Sequence, residues 1–467
     1  VEKPEPSPRA PRAAQAPLRG IDRAIRALVR LVLRVFFRRV EVIGLERVPV
    51  GHPMVLVANH VNGLVDPLLI LGPLPVWPRL LAKSTLWQNP LVRPWLELER
   101  VIPVYRRQDE VDTAQNEATF ARCHEVLAEG GAISLFPEGK SHNEPMLQPL
   151  KTGLARIVLG AERRFPGIGT RIVPVGLTFD EKGKFRSRAL VQVGEPVDPA
   201  PEIELDRTDN PAAVRALTAR VDRGLQEVTL NYPSWEAAWL IGRAADLYGR
   251  AELDVPRGRR LSERFEVHRA FVEGYEEMCR RFPERVRAVE AAVGEYDRLL
   301  RTFRLRDDQV AASYAPSPVL RFVARTLLRL LVHLPLAAVG TVLNILPYYL
   351  VRLASWFVRR SPDQVATYKV FGALVLYPLA WISEAVVVGR YTGSSGLGAL
   401  TFLAGPLTGY AAILFHEQRE LFWNEARAFL VLRTRRNLAA ELKACRDRVL
   451  REVEELAGIY LHPGEPA

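Results

Sequence analysis

Three stretches of contrasting pattern predict an α/β domain, its sheet mixed or largely parallel and flanked by helices, followed by a helical connector and a C-terminal helical membrane region. From residue 41 to 232, short apolar runs alternate with helical stretches. From 233 to 316 the chain is helical and densely charged. From 317 to 415 it holds long segments almost free of charge. Alternation of strand and helix favours a sheet covered by helices, and 467 residues exceed what one compact core accommodates.

The elements follow in order. Residues 1–20, rich in Pro and Ala, form a tail with too little apolar surface to fold. The tail lacks the apolar run of a secretory signal, so the N-terminus is expected to stay cytoplasmic. Residues 21–40 place Arg26, Arg30 and Arg34 at four-residue spacing among Ile25, Leu28, Val29, Val32 and Phe36. This is the pattern of a basic amphipathic helix on anionic lipid, and also of a packed surface helix with a charged edge. Residues 54–58 (MVLVA), 132–136 (AISLF), 171–177 (RIVPVGL) and 189–193 (ALVQV) read as buried strands. Residues 113–129 read as a helix closed by Gly130 and Gly131.

In the last third, residues 330–351, 370–389 and 391–415 each approach the about 20 apolar residues that cross a bilayer. Basic residues flank 330–351 on both sides, and Pro335 and Pro347 interrupt it, so a bent, non-crossing segment is expected there. The other two form a hairpin whose turn holds only Arg390, while Arg and Lys cluster before and after it. The excess of basic residues marks the cytoplasmic side. The protein is therefore expected to be integral to a membrane, with both termini and the α/β domain cytoplasmic and residues 416–467 a cytoplasmic helix.

The chain carries 64 Lys and Arg against 53 Asp and Glu, which suits an anionic partner. Many arginines are interleaved with apolar residues, and a hydrophobic C-terminal third has no purpose in a nucleic-acid binder, so nucleic acid is set aside. Cys123, Cys279 and Cys445 are widely spaced and no Cys/His ligand pattern occurs. Neither a disulfide framework nor a metal is expected, and no cofactor.

The strongest local signal follows the first predicted strand: Ala58-Asn59-His60-Val61-Asn62-Gly63-Leu64-Val65-Asp66-Pro67. A hydroxyl is a poor nucleophile until a base takes its proton, and a carboxylate on the far ring nitrogen fixes the tautomer and steadies the imidazolium. His60 and Asp66 can supply that pair. Alone, the same residues also suit a turn histidine and a helix-capping aspartate. Gly139-Lys140-Ser141 imitates the end of a P-loop, but Ser134 stands where its first glycine belongs. No GxSxG elbow appears. His142 is the competing base near the site.

Three further stretches follow in order: Val101-Ile102-Pro103-Val104-Tyr105-Arg106-Arg107, Phe136-Pro137-Glu138-Gly139-Lys140-Ser141-His142, and Ile172-Val173-Pro174-Val175-Gly176-Leu177. With the His-Asp stretch, the set resembles the glycerolipid acyltransferase superfamily across roughly residues 40–200. Five residues separate His60 from Asp66 where the family usually has four. This spacing and the hydrophobic C-terminal extension look like the yeast-type glycerol-3-phosphate/dihydroxyacetone-phosphate branch.

The resemblance implies transfer of a fatty-acyl group from acyl-CoA or acyl-carrier protein to a phosphorylated glycerol acceptor. His60 would be the general base, Asp66 its orienting partner and Arg106 the phosphate ligand, with Arg107 a rival. Glu138 and Gly139, and less directly Lys140 and Ser141, would bind the acceptor. Lys83 and Lys151 could add positive potential. Glycerol 3-phosphate is the leading acceptor; 1-acylglycerol 3-phosphate and dihydroxyacetone phosphate are alternatives. A non-catalytic lipid-binding protein of the same fold is the competing class.

Overall fold

The computed structural model describes residues 19–90, 92–106, 116–253, 260–312, 316–357 and 362–461. The expected tail lies outside them up to residue 18, as does Arg107. The chain divides into two compact units, Val1–Asn231 with Ser361–Thr367, and the remainder.

The first unit is built on seven strands: β1 (Arg39–Ile43), β2 (Met54–Ala58), β3 (Arg79–Lys83), β4 (Ile102–Val104), β5 (Ala132–Leu135), β6 (Arg171–Phe179) and β7 (Arg188–Val193). Their order is β1-β7-β6-β2-β5-β3-β4. All neighbours run parallel except β6 and β7, so the sheet is mixed. β2 lies between β5 and β6, and none of its five residues is exposed. An unbroken apolar run is what a strand covered on both faces requires.

Among the described residues, this unit has seven α-helices: α1 (Gly20–Phe36), α2 (Val65–Leu71), α3 (Arg93–Leu98), α4 (Asn116–Ala128), α5 (Gly153–Arg164), α6 (Ala200–Asp206) and α7 (Asn210–Gln226). α4 ends as expected. Gly130, at φ +75°, donates to Leu127 O, and Gly131 donates to Val126 O, the paired bonds that stop a helix at a left-handed residue. α4, α5 and α7 bury Leu127, Ile157, Val158, Leu217 and Val221 in one core with Val55 and Val57 of β2.

α1 is the expected amphipathic helix, shorter at its end because Arg39 and Val40 join β1. Val29, Leu33 and Phe36 are buried, each contributing about 1.5–3 kcal/mol. Two of its arginines turn inward. Arg26 donates to Val76 O at 2.7 Å and lies over the Trp77 ring at 5.0 Å, and Arg30 donates to Gly72 O at 2.8 Å. Arg23, Arg34, Ile21, Leu28 and Leu31 make up an exposed, mixed basic and apolar face.

The second unit contains α8 (Trp235–Ala251), α9 (Leu261–Arg281), α10 (Pro283–Phe303), α11 (Asp307–Ala311), α12 (Pro316–Phe357), most of α13 (Val365–Thr392), α14 (Ser395–Thr434) and α15 (Arg436–Leu461). Leu240, Met278, Val289 and Tyr296 from the connector share one buried core with Leu442, Cys445 and Val449 of α15. The connector and the C-terminal helix therefore fold together.

Among the described residues, three helices are long and apolar enough to cross a membrane: Val319–Trp356, Val365–Thr392 and Ser395–Thr434. The expected break in the first does not occur: α12 is one continuous helix of 42 residues with Pro335 and Pro347 inside it. A proline removes one intrahelical bond, and neighbouring helices can keep the rest in place. Nor does the chain break at residue 416, because α14 runs on to Thr434. α12 and α14 approach so closely that a Cβ on Gly340 would lie 2.0 Å from Thr408 O. Asn344 donates to Gly405 O at 3.2 Å and accepts from Trp381 Nε1 at 2.9 Å, so one buried amide ties α12, α13 and α14 together. Leu331, Val342, Leu346, Val387 and Leu407 stand outward, each more than 60% exposed, an apolar surface suited to lipid.

Candidate active site

The site begins where β2 ends. Asn59 is buried, and its side-chain amide extends the ladder: Nδ2 donates to Leu177 O at 3.0 Å and Oδ1 accepts from Leu177 N at 2.7 Å. That clamp fixes the point at which the chain leaves the sheet, with His60 next.

The turn from His60 to Asp66 absorbs its extra residue at Gly63, which adopts φ +48°, a left-handed conformation that glycine accepts without steric cost. Asp66, in the first turn of α2, then reaches back. Its Oδ2 lies 3.0 Å from His60 Nδ1 and accepts the N–H groups of Val61 and Asn62, both at 2.8 Å. The Asp66 carboxylate is fully buried and the His60 side chain is 19% exposed. With Nδ1 engaged as a donor, Nε2 carries the lone pair, and it makes no hydrogen bond to the described residues. Phe136 supports the ring from one face, with centroids 4.1 Å apart.

The Phe-Pro-Glu-Gly stretch lies immediately against this turn. Glu138 is buried; its Oε1 accepts the His60 N–H at 2.7 Å, and its Oε2 meets His142 Nε2 and accepts the Gln148 N–H. Both carboxylate oxygens thus hold the protein's own loops. His142 is engaged on both ring nitrogens, since Nδ1 accepts the Glu144 N–H at 3.1 Å. That fixes a tautomer with the proton on Nε2 and leaves no lone pair for catalysis.

Arg106 is brought to the same place, its Nη1 donating to Gly139 O at 2.7 Å. Gly139 is left-handed at φ +78°, and the Lys151 side chain passes 3.4 Å from where its Cβ would be. Lys140 is exposed, as are Lys83 and Lys151. Ser141 donates through Oγ to Asp363 at 2.5 Å, a partner from more than 200 residues along the chain.

Lys182, which no motif singles out, also belongs here. Its Nζ donates to Val61 O at 3.0 Å, and Asn62 Nδ2 donates to Lys182 O at 3.0 Å. Burial pushes the Lys182 ammonium below its ordinary pKa, while the charges of Asp66 and Asp363 oppose that shift. Among the described residues, no group of His, Cys, Asp and Glu is arranged to hold a metal ion.

A family model described as Acyltransferase matches residues 39–178, and one described as Glycerol-3-phosphate acyltransferase 2 C-terminal domain matches residues 241–460. The chain is 28% identical over 289 residues to Glycerol-3-phosphate O-acyltransferase 2 of Saccharomyces cerevisiae, covering 58% of this chain and 38% of that protein. It is 28% identical over 306 residues to Glycerol-3-phosphate O-acyltransferase 1 of the same yeast, covering 62% and 39%. The match thus spans about two fifths of those relatives. Among solved structures, the 1-acyl-sn-glycerophosphate (LPA) acyltransferase PlsC from Thermotoga maritima aligns with a TM-score of 0.33 and 23% identity, over 44% of this chain and 79% of that one. The chain is thus matched in order by an Acyltransferase model and a Glycerol-3-phosphate acyltransferase 2 C-terminal domain model, and it is similar to the two yeast glycerol-3-phosphate O-acyltransferases over more than half its own length.

Proposed function

We propose that this protein transfers a fatty-acyl group from acyl-CoA or acyl-carrier protein to a hydroxyl of glycerol 3-phosphate. The observation that carries the reading is the His60–Asp66 pair, 3.0 Å apart, with the second ring nitrogen open. The acceptor hydroxyl gives its proton to His60 Nε2 as its oxygen attacks the thioester carbonyl. The tetrahedral intermediate then expels the thiolate, which takes the proton back from the imidazolium. Ester and thiol leave, and His60 is neutral again. No covalent enzyme intermediate is needed. Glu138 holds the His60 loop, and Arg106, beside Gly139, receives the acceptor phosphate. The yeast relatives' names support glycerol 3-phosphate as acceptor.

The test is a membrane preparation given a labelled acyl donor and each acceptor separately. Glycerol 3-phosphate should be acylated fastest; labelling of 1-acylglycerol 3-phosphate alone would reassign the acceptor. Arg106→Ala should raise the acceptor KM about 10–100-fold with a smaller effect on kcat, as loss of a charge-assisted pair predicts. Lysine should restore only part, because it cannot form a two-pronged contact. An unchanged acceptor KM would remove Arg106 from the phosphate site.

We also propose that the active site faces the cytoplasm and that α13 and α14 are the two crossings. Flanking charge supports this: Arg352 and Lys369 precede the apolar stretch of α13, Arg419, Arg427, Arg433, Arg435 and Arg436 follow that of α14, and Arg390 alone lies between, whereas α12 has basic residues on both flanks, Arg321, Arg325 and Arg329 before and Arg352 after. Cysteines introduced at Lys184 and Asn437 should react with an impermeant thiol reagent from the cytoplasmic face, and one at Tyr391 from the opposite face. Cys279 would first be replaced by serine. Cys123 should stay silent, because it is fully buried and burial pushes its thiol up to about 12. Labelling of positions 184 and 437 from opposite faces would overturn the two-crossing arrangement.

A further inference from the structure

The turn that carries the His60–Asp66 pair is also held from outside the α/β sequence. Helix α2, on which Asp66 sits, has no side-chain cap from its own N-terminal residue. The Leu64 N–H, an orphan donor at that end, is instead satisfied by Thr367 Oγ1 at 3.0 Å. Four residues earlier, Asp363 accepts the Ser141 hydroxyl at 2.5 Å. Asp363 and Thr367 thus touch two motif stretches between them, the His-Asp turn and the loop after Glu138.

Gly63 is where the fit is tightest. A Cβ there would lie 2.6 Å from Thr367 Oγ1, closer than real Cβ atoms come, and a tight 3.1 Å from Asp363 O. The residue that lengthens the His-Asp spacing is the one on which this segment rests. Lys182 completes the arrangement: it donates to Val61 O within the same turn, and the charges of Asp66 and Asp363 both act on its ammonium.

We infer that Thr367 and Asp363 are positioning residues for acyl transfer, and that the longer His-Asp turn is shaped to receive the 362–367 segment, the short turn before α13 and the first residues of that helix. Neither residue takes part in the chemistry. Thr367 holds the N-terminus of α2, and so the Asp66 carboxylate, in register with His60. Asp363 holds Ser141 and balances Lys182. The inference rests on the proposed acyl transfer for its kinetic readout but not for its structural one.

The full-length protein in detergent micelles, with glycerol 3-phosphate and an acyl-CoA, provides the test. Two measurements are made on wild type, Thr367→Val, Thr367→Ser and Asp363→Asn: steady-state kinetics, and hydrogen exchange of the peptide spanning residues 60–66. Thr367→Val should speed exchange in that peptide and lower kcat about five- to fifty-fold with the acceptor KM unchanged, as loss of one partly buried hydrogen bond predicts. Thr367→Ser keeps the hydroxyl and should restore both. Asp363→Asn should lower kcat less and leave that exchange near wild type. An unchanged kcat in Thr367→Val would overturn the inference, as would a loss that serine does not rescue and that follows a general fall in melting temperature. If wild type transferred no acyl group, the functional reading would fail by itself. Exchange would still decide whether Thr367 docks on the turn, and identical exchange in wild type and Thr367→Val would overturn the docking.

Discussion

Replacing His60 with alanine should lower turnover on the order of 10²–10⁴-fold, the contribution expected of a positioned base, while leaving the protein folded and in the membrane. The structure gives a reason for both halves of that result. His60 is partly exposed, and its removal leaves Asp66 Oδ2 still accepting the Val61 and Asn62 N–H groups, so the turn keeps most of its bonds. No other described histidine at the site has a free lone pair. His142 is engaged by Glu138 and by the Glu144 N–H, and its removal would leave a buried carboxylate short of a donor. His142→Ala is therefore expected to reduce thermal stability more than the chemical step. Kinetics and melting temperature measured on both variants separate the two roles. A His60→Ala protein with near-normal turnover, beside a dead but stable His142→Ala, would reverse the assignment.

How much of this was legible in the sequence depended on how local each pattern was. β2, β5, β6 and β7 stood out because strands covered on both faces must be continuously apolar. β1 (RVEVI) and β3 (RLLAK) mix arginine, glutamate or lysine into short runs and are only partly buried, so no periodicity marked them. The His60–Asp66 pair was legible because turn, base and carboxylate lie within seven residues. Glu138 was legible as a site residue but not in its role. The resemblance implies contact with the acceptor, whereas its two oxygens are taken by His60 N–H, His142 and Gln148 N–H. Lys182, Asp363 and Thr367 could not be found this way. Asp363 lies in the short turn before α13 and Thr367 in the first turn of α13, 222 and 303 residues from the partners they touch, and no local pattern carries a contact that distant. The expected break in 330–351 does not occur for a related reason: a proline interrupts an isolated helix, while α12 has α14 packed along it, with Gly340 against Thr408 and Asn344 bonded to Gly405.

Asp66→Asn should separate charge from geometry at this site. Asp66 Oδ2 receives three donors, and Oδ1 is buried with no hydrogen-bond partner. An asparagine can put its oxygen where Oδ2 was and keep all three donors, His60 Nδ1 included. Its NH₂ then falls in the Oδ1 position, which offers no acceptor. The turn survives at a modest cost, the tautomer of His60 is retained, and what disappears is the negative charge that steadies the imidazolium as the proton arrives. Loss of such a preorganised electrostatic partner is expected to lower kcat on the order of 10²–10³-fold. Because neither substrate touches Asp66 in the proposed mechanism, both KM values should stay within about threefold. Asp66→Ala behaves differently: it leaves the Val61 and Asn62 N–H groups unpaired in a buried turn, at about 1–3 kcal/mol each, and should lower the melting temperature as well as the rate. Comparing the two variants distinguishes a carboxylate that builds the turn from one that serves the base. An Asp66→Asn protein with undiminished kcat would leave Asp66 as a turn-builder only. One that lost as much thermal stability as Asp66→Ala would show that asparagine cannot adopt the Oδ2 contacts, and the rate would then report on folding rather than on charge.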